Sequence, residues 1–305
     1  MKRALITGIA GQDGHYLSEL LLAKGYEVVG LAHGPFDDPR IEVVQGDVGD
    51  ERTLDALFRR EYDELYNLAG ESYGPRSWDD PAAIGETLGI AVTRLLERIR
   101  GTKTRFLQAS SSELFGHATE VPQSERTPLA PITPYGAAKL YAQTMVAAYR
   151  ARHAVYSCAA ILFNHESPRR RPEFVTRKIA RHAAAARLGM AAELRLGNLD
   201  AQRDWGFAGD FVEAMWLMLQ QPEADDFVVA TGRAHTVRDF CAVAFEHVGL
   251  DYRDHVTEDP ALVRRDDFQR IGDPSKARHI LGWEPRVSFE QLVQMMVDAD
   301  LEALR

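Results

Sequence analysis

The sequence predicts an α/β fold, a doubly wound parallel sheet with a smaller mixed C-terminal lobe. Three observations carry that reading. Short apolar runs alternate with longer segments of helical periodicity, a glycine-rich turn follows the first run directly, and 305 residues with 45% apolar side chains suffice for a sizeable core. Ala4 to Thr7 reads as a buried strand, and Leu17, Leu20 and Leu21, closed by Gly25, as the helix behind it. Val28 to Leu31, Ile41 to Val44, Leu65 to Leu68, Phe106 to Ala109 and Cys158 to Leu162 make six strands in all. Helix-length segments lie after Gly49, around Ile90 to Ile99 and after Tyr135, so right-handed crossovers are expected. Past Asn164 the pattern loosens into a basic amphipathic stretch from Glu173 to Leu188, a short strand at Leu194 to Leu196 and a helix through Phe211 to Leu219. In the last helix Ser288 can cap while Gln291 reaches back, and Leu292, Met295, Met296 and Ala299 are the expected apolar face. No repeat, low-complexity tract or linker marks a boundary, so the lobes should interleave.

Composition narrows the partners. With 36 basic and 45 acidic residues the net charge is −9, which argues against nucleic acid, because neutralising phosphates needs clustered Lys and Arg. The start turns polar and glycine-rich too early for a signal peptide, and no apolar run reaches the ~18–20 residues of a membrane span, so a cytoplasmic protein without membrane contact is expected. The two cysteines, Cys158 and Cys241, sit in apolar surroundings without CxxC spacing; buried thiols are expected and a metal site is not.

Two constellations carry chemistry. The first strand runs into Gly8-Ile9-Ala10-Gly11-Gln12-Asp13-Gly14 and then a helix. Such glycines let the backbone turn tightly and approach a pyrophosphate, whose charge is met by the helix N-terminus, so a Rossmann-type dinucleotide site is predicted. The second strand ends Leu31-Ala32-His33-Gly34, without the carboxylate that would accept from a ribose 2′-hydroxyl and repel a 2′-phosphate. That favours NADP; Asp37 and Asp38, close behind, keep NAD open. His33 either faces the adenosine end or is an exposed loop histidine. The second constellation is Tyr135-Gly136-Ala137-Ala138-Lys139, preceded by Ser110-Ser111-Ser112-Glu113. Tyr135 and Lys139 stand one helical turn apart, so the ammonium is expected to lower the phenol's pKa from about 10 and ready it to take a proton from an alcohol as hydride leaves for a nicotinamide. A bare YxxxK is often a packed Tyr and a surface Lys; the serine run and the glycine turn favour the catalytic reading.

These elements resemble the extended short-chain dehydrogenase/reductases, and the resemblance narrows downstream. Gly11-Gln12-Asp13-Gly14, Tyr66-Asn67-Leu68-Ala69, Pro134-Tyr135-Gly136-Ala137-Ala138-Lys139-Leu140-Tyr141, Leu162-Phe163-Asn164-His165-Glu166-Ser167-Pro168-Arg169-Arg170, Phe174-Val175-Thr176-Arg177-Lys178 and Leu196-Gly197-Asn198-Leu199-Asp200 are similar to the GDP-mannose 4,6-dehydratase family. The resemblance spans the first strand to the last helix. It implies catalytic roles for Ser111, standing for the family's threonine, and for Glu113, Tyr135 and Lys139. It implies cofactor contacts from Gly8, Gly11, Gln12, Asp13, Gly14, His33, Asp47 and Val48, and from Leu68, Ala69, Tyr135, Lys139, Leu162, Asn164, His165 and Arg170. Substrate contacts fall on Ser72, Glu113, Asn164, Val175, Lys178, Gly197, Arg203, Arg264 and Asp267. Residues 1–163 are then the dinucleotide-binding domain and 164–305 mainly a substrate-binding lobe interleaved with it. Glu113 separates reaction types: a reductase needs only the hydroxyl, Tyr and Lys, whereas eliminating water needs a further base at C5.

The chain also departs from the family pattern. Between Leu31 and Gly46 a longer loop with an arginine pair, which grips the 2′-phosphate and reaches a neighbouring subunit, is replaced by His33-Gly34-Pro35-Phe36-Asp37-Asp38-Pro39. A homodimer is therefore expected ahead of a tetramer. Arg264-Arg265-Asp266-Asp267-Phe268-Gln269 replaces arginine-proline-x-glutamate-valine-aspartate, and Glu71 replaces a glutamine, which should put an extra carboxylate near the sugar. Three readings follow: a dehydratase acting on a GDP-hexose or another nucleotide sugar such as a GDP-manno-heptose; a nucleotide-sugar 4-reductase or epimerase; and a non-enzymatic NADP-binding scaffold.

Overall fold

A computed structural model of the chain describes residues 1–190, 193–263 and 269–305. The sheet strands in order are β1 Arg3–Thr7, β2 Glu27–Ala32, β3 Glu42–Gln45, β4 Glu64–Asn67, β5 Arg105–Ala109 and β6 Ser157–Leu162. Short strands follow: β7 Asn164–Glu166, β8 Leu194–Leu196, β9 Gln202–Arg203, β10 Trp205–Phe207, β11 Phe227–Val229, β12 His235–Thr236 and β13 Val256–Glu258. The helices are α1 Gln12–Ala23, α2 Glu51–Leu57, α3 Pro81–Gly85, α4 Ala91–Ile99, α5 Pro134–His153, α6 Val175–Arg187, α7 Ala208–Met218, α8 Val237–His247 and α9 Phe289–Leu304.

The main sheet has seven strands in the order β11-β6-β5-β4-β1-β2-β3, and every pairing is parallel. Its polarity places the C-terminal ends of β1, β4, β5 and β6 on one edge, where the order reverses and ligands of such sheets bind. Both faces are covered. Leu17 and Leu21 of α1 join Phe211, Met215 and Met218 of α7 on one side; Leu95 and Leu96 of α4 join Ala142 and Val146 of α5 on the other. A third core lies in the C-terminal lobe, where Ile179, Phe240, Phe245, Leu292 and Met296 bring α6, α8 and α9 together.

The six expected strands are present, each within a residue or two of its expected bounds, and α6 and β8 fall where the patterns put them. The seventh strand was not expected. Phe227–Val229 is only three residues long and its burial comes from pairing with β6, so no local periodicity marks it. The capping box of α9 forms: Gln291 N donates to Ser288 Oγ at 3.2 Å and Ser288 N to Gln291 Oε1 at 2.9 Å. Its buried face is rotated from the expected one. Leu292, Val293, Met296, Val297 and Asp300 point inward and Met295 and Ala299 are half-buried, because the helix packs against α6 and α8 together and Asp300 must meet Arg177, at 2.7 Å. Cys158 and Cys241 are buried and unpaired, and burial pushes both thiols up to about 12. No described helix is long and apolar enough to cross a membrane.

Candidate active site

The C-terminal edge of the sheet opens on a cavity of about 710 Å³, a size that suits a nucleotide-scale ligand. Three local devices bring its reactive side chains together. β5 ends at Ala109, and the Ser110 hydroxyl donates to Gln143 Oε1 on α5 at 2.7 Å. The chain then enters a tight turn over Ser112–Phe115, in which Ser111 Oγ accepts from Glu113 N at 3.2 Å. Helix α5 starts immediately across from it, capped by Thr133, whose Oγ1 accepts from Gly136 N at 3.0 Å, with Pro134 in its first turn. A Cβ at Gly136 would lie 2.9 Å from the Glu113 carbonyl oxygen, so the glycine lets α5 press against the turn that carries Glu113. Ser111, Glu113, Tyr135 and Lys139 consequently line one cavity.

Their protonation differs from the sequence expectation. Lys139 Nζ donates to Ala109 O at 2.7 Å and lies 5.7 Å from the centroid of the Tyr135 ring. Burial pushes the Tyr135 phenol up to about 12, against the pull of its hydrogen bond with Ser111, and pushes the Lys139 ammonium down to about 8. The two groups share a dry wall, and desolvation outweighs any help the ammonium gives the phenol.

The glycine turn forms the neighbouring wall. Gly8 has φ +72°, and a Cβ there would meet the Ala69 backbone at 2.8 Å; one at Gly14 would meet the Ile9 backbone at 2.5 Å. Helix α1 has Gly11 at its N-cap and no side-chain cap, so no side chain takes up its first-turn amides, as a pyrophosphate site requires. Asp13 and His165 lock this turn to β7. His165 Nδ1 donates to Phe163 O at 2.7 Å and Nε2 to Asp13 Oδ2 at 2.9 Å, with the ring stacked on Phe211. Burial opposes charge on both, but their mutual attraction outweighs it, holding Asp13 below and His165 above the ordinary value. Gln12 donates to His165 O at 3.0 Å and accepts from Ser167 Oγ at 2.8 Å. The residues present therefore fit a dinucleotide.

Asp13, Leu68, Ala69, Leu162, Asn164, His165 and Arg170 line the cavity, as do Ser72, Val175, Lys178, Gly197 and Arg203. Gly8, Gly11, Gln12, Gly14, His33, Asp47 and Val48 do not line it. His33 and Asp47 meet beyond the ends of β2 and β3, Nε2 to Oδ2 at 2.6 Å, so a carboxylate does stand beside the end of β2, supplied from the next strand. Asp38 is turned onto Arg40, whose hydrogen bonds hold its carboxyl down at about 2. Arg264 and Asp267 lie outside the described residues.

Two further groups of contacts escaped the sequence reading. Glu71 is not an unbalanced carboxylate: Arg171 reaches it at 2.8 Å and Arg76 at 3.7 Å, and both arginines also pair with Glu173. Arg76 and Arg171 thus balance the carboxylates of the cavity rim. Arg177 is likewise committed to Asp300, and Arg170 to Glu166 at 3.0 Å. The second group centres on Arg270, buried in the cavity wall with Nη1 2.7 Å from Glu113 Oε1. No local pattern predicts either contact.

Known proteins agree with the motif reading. The family model described as GDP-mannose 4,6 dehydratase matches residues 5–296. GDP-mannose 4,6 dehydratase 1 of Arabidopsis thaliana is 46% identical over 329 residues, covering 99% of this chain and 90% of the relative. GDP-mannose 4,6 dehydratase of Cricetulus griseus is 43% identical over 344 residues, covering 100% of this chain and 92% of the relative. Among solved structures, RMD from Pseudomonas aeruginosa complexed with NADPH superposes with TM-score 0.85 at 23% identity, covering 99% of this chain and 100% of that one, which bears on the fold alone. With near-complete coverage by sequence relatives of one kind, the chain belongs to the GDP-mannose 4,6-dehydratase family.

Proposed function

We propose that this protein is a hydro-lyase that converts GDP-mannose to its 4-keto-6-deoxy derivative. The observation that carries the reading is the presence of Glu113 on the same cavity wall as Ser111, Tyr135 and Lys139. NADP⁺, held by Gly8, Gly11, Gly14 and the start of α1, would supply hydride-accepting and hydride-donating chemistry within one turnover, so that no net oxidation results. Tyr135 reacts as the phenolate, having first released its own proton to solvent; it accepts the proton of the C4 hydroxyl, which Ser111 orients, and the Lys139 ammonium supplies the positive charge that this anion needs against the cost of its burial. Oxidation at C4 acidifies the proton at C5. Glu113 removes it, then returns a proton to the departing C6 hydroxyl, which leaves as water; C5 is reprotonated from solvent. A nearby base that also acts as acid is what an elimination needs and a simple reduction does not.

The wider assignments rest on the same reading. Gly8, Gly11 and Gly14 with the start of α1 hold the cofactor's pyrophosphate, and His33, Asp47 and Val48 its adenosine end. Ser72, Asn164, Val175, Lys178, Gly197, Arg203, Arg264 and Asp267 hold the GDP-sugar, so that residues 1–163 serve mainly the cofactor and 164–305 mainly the substrate. Ile90 and Tyr141, 36% and 39% exposed beside α4 and on α5, support a homodimer through these helices. The two unpaired buried cysteines suit a reducing cytoplasm.

The test is an incubation of the protein with GDP-mannose and catalytic NADP⁺, followed by mass spectrometry. Loss of one water with no net NADPH change is expected. Stoichiometric NADPH consumption would mark a reductase, and cofactor binding without turnover a scaffold; either would refute the proposal.

A further inference from the structure

We infer that Arg270 is a positioning residue for Glu113, an arginine delivered by the C-terminal lobe that sets the carboxylate of the proposed C5 base in its working orientation. This rests on the dehydratase reading above.

The geometry is specific. Arg270 is only 7% exposed, yet its guanidinium sits 2.7 Å from Glu113 Oε1. A guanidinium this buried must be matched by a counter-charge, because stranding it would cost several kcal/mol. Its backbone is fixed from both sides. Asp204 N donates to Arg270 O at 3.2 Å, beside β9, and Gly272 N donates to Asp204 Oδ2 at 3.2 Å. On the other side the buried Gln123 pairs with the same segment: Gln123 N donates to Ile271 O at 2.8 Å, Asp273 N to Gln123 O at 2.7 Å, and Ile271 N to Gln123 Oε1 at 3.1 Å. Gly272 presses against Phe163 and Ala230, where a Cβ would lie 2.8 Å and 2.3 Å from their side chains.

The arginine is therefore held by a rigid frame and Glu113 is held by the arginine. The turn that carries Glu113 fixes its backbone through Ser111, but that leaves the side chain several rotamers. The ion pair selects one and commits Oε1. Tyr135 needs no such partner, since α5 already aims it. Arg270 should thus matter to proton removal at C5 and to water loss, and not to oxidation at C4.

The experiment separates those half-reactions. Arg270→Met is compared with the unmodified full chain for cofactor reduction on first mixing with GDP-mannose, read by absorbance, and for water loss, read by mass spectrometry. We expect water loss to slow by about 10²-fold, the effect of displacing a catalytic group by roughly 1 Å, with initial cofactor reduction and KM changed by no more than about threefold. Reduced cofactor should then accumulate, and Arg270→Lys should recover part of the rate. If Arg270→Met does not fold, Arg270→Gln, which keeps a donor without the charge, is read in the same way. Parallel loss of both half-reactions, or no change in either, overturns the role of Arg270. Absence of turnover by the unmodified protein overturns the dehydratase reading and the role of Arg270 with it.

Discussion

The two walls of the cavity are built by different means. On the cofactor side the backbone does the work: Gly8 and Gly14 sit where a Cβ would collide with neighbouring main chain, and α1 presents uncapped amides. On the substrate side the work is done by ion pairs between distant segments, Glu113 with Arg270 and Glu71 with Arg171. The glycines of the backbone cradle lie within one short turn, although Gly8 packs on the distant Ala69, and they leave almost no room for a side chain. The two side-chain pairs join residues 100 and 157 positions apart, and either partner can be exchanged with a graded cost. On the proposed reading the first wall would hold the cofactor, and the second would hold the substrate.

Substitutions on each wall sharpen this contrast, beginning with the reacting groups between them. Tyr135→Phe removes the proton acceptor and should lower kcat by about 10²–10⁴-fold with cofactor binding retained, as measured by steady-state kinetics and a fluorescence titration. Glu113→Gln should abolish water loss to a similar degree while leaving cofactor binding intact; an active variant would sink the assigned role.

Gly14→Ala tests the backbone wall. The Ile9 main chain would have to move, and we expect about 1–3 kcal/mol of destabilisation in urea melts together with weakened cofactor binding. An unchanged affinity would show that the turn is not a tight cradle.

Lys139 gives a pH signature. Its pKa falls from 10.5 to about 8 on folding, so between these values the unfolded chain binds more protons and stability should rise with pH. Lys139→Met should remove that rise, on the order of 1–3 kcal/mol, from chemical melts taken across the window. An identical slope in the variant would mean that Lys139 is not desolvated. The smallest effect belongs to the rim: Arg171 is 42% exposed, so a double-mutant cycle between Glu71→Gln and Arg171→Ala should give about 0–1 kcal/mol of coupling.

The same contrast explains what could be read in advance. Six strands, the glycine turn, the YxxxK helix and the α9 capping box were legible because each is a local pattern with a local cause. The seventh strand was not, because three residues owe their conformation to β6. The face of α9 was misplaced by one position because its packing partners, α6 and α8, cannot be seen in its own periodicity. The charge on Glu71 was legible and its neutralisation by Arg171 was not. Arg270 lies one residue beyond the segment that drew notice for departing from the family pattern, and only the folded chain places it on Glu113. The protonation of Tyr135 failed for a related reason: spacing brings Lys139 near, but burial of the whole wall sets both pKa values.

The central claim is internal transfer of hydride from C4 to C6 of one sugar, and GDP-mannose carrying deuterium at C4 tests it most directly. With catalytic NADP⁺, the product should have lost one water and carry the deuterium on C6. Deuterium that remains at C4, or that leaves in reduced cofactor in proportion to the sugar consumed, would contradict the account.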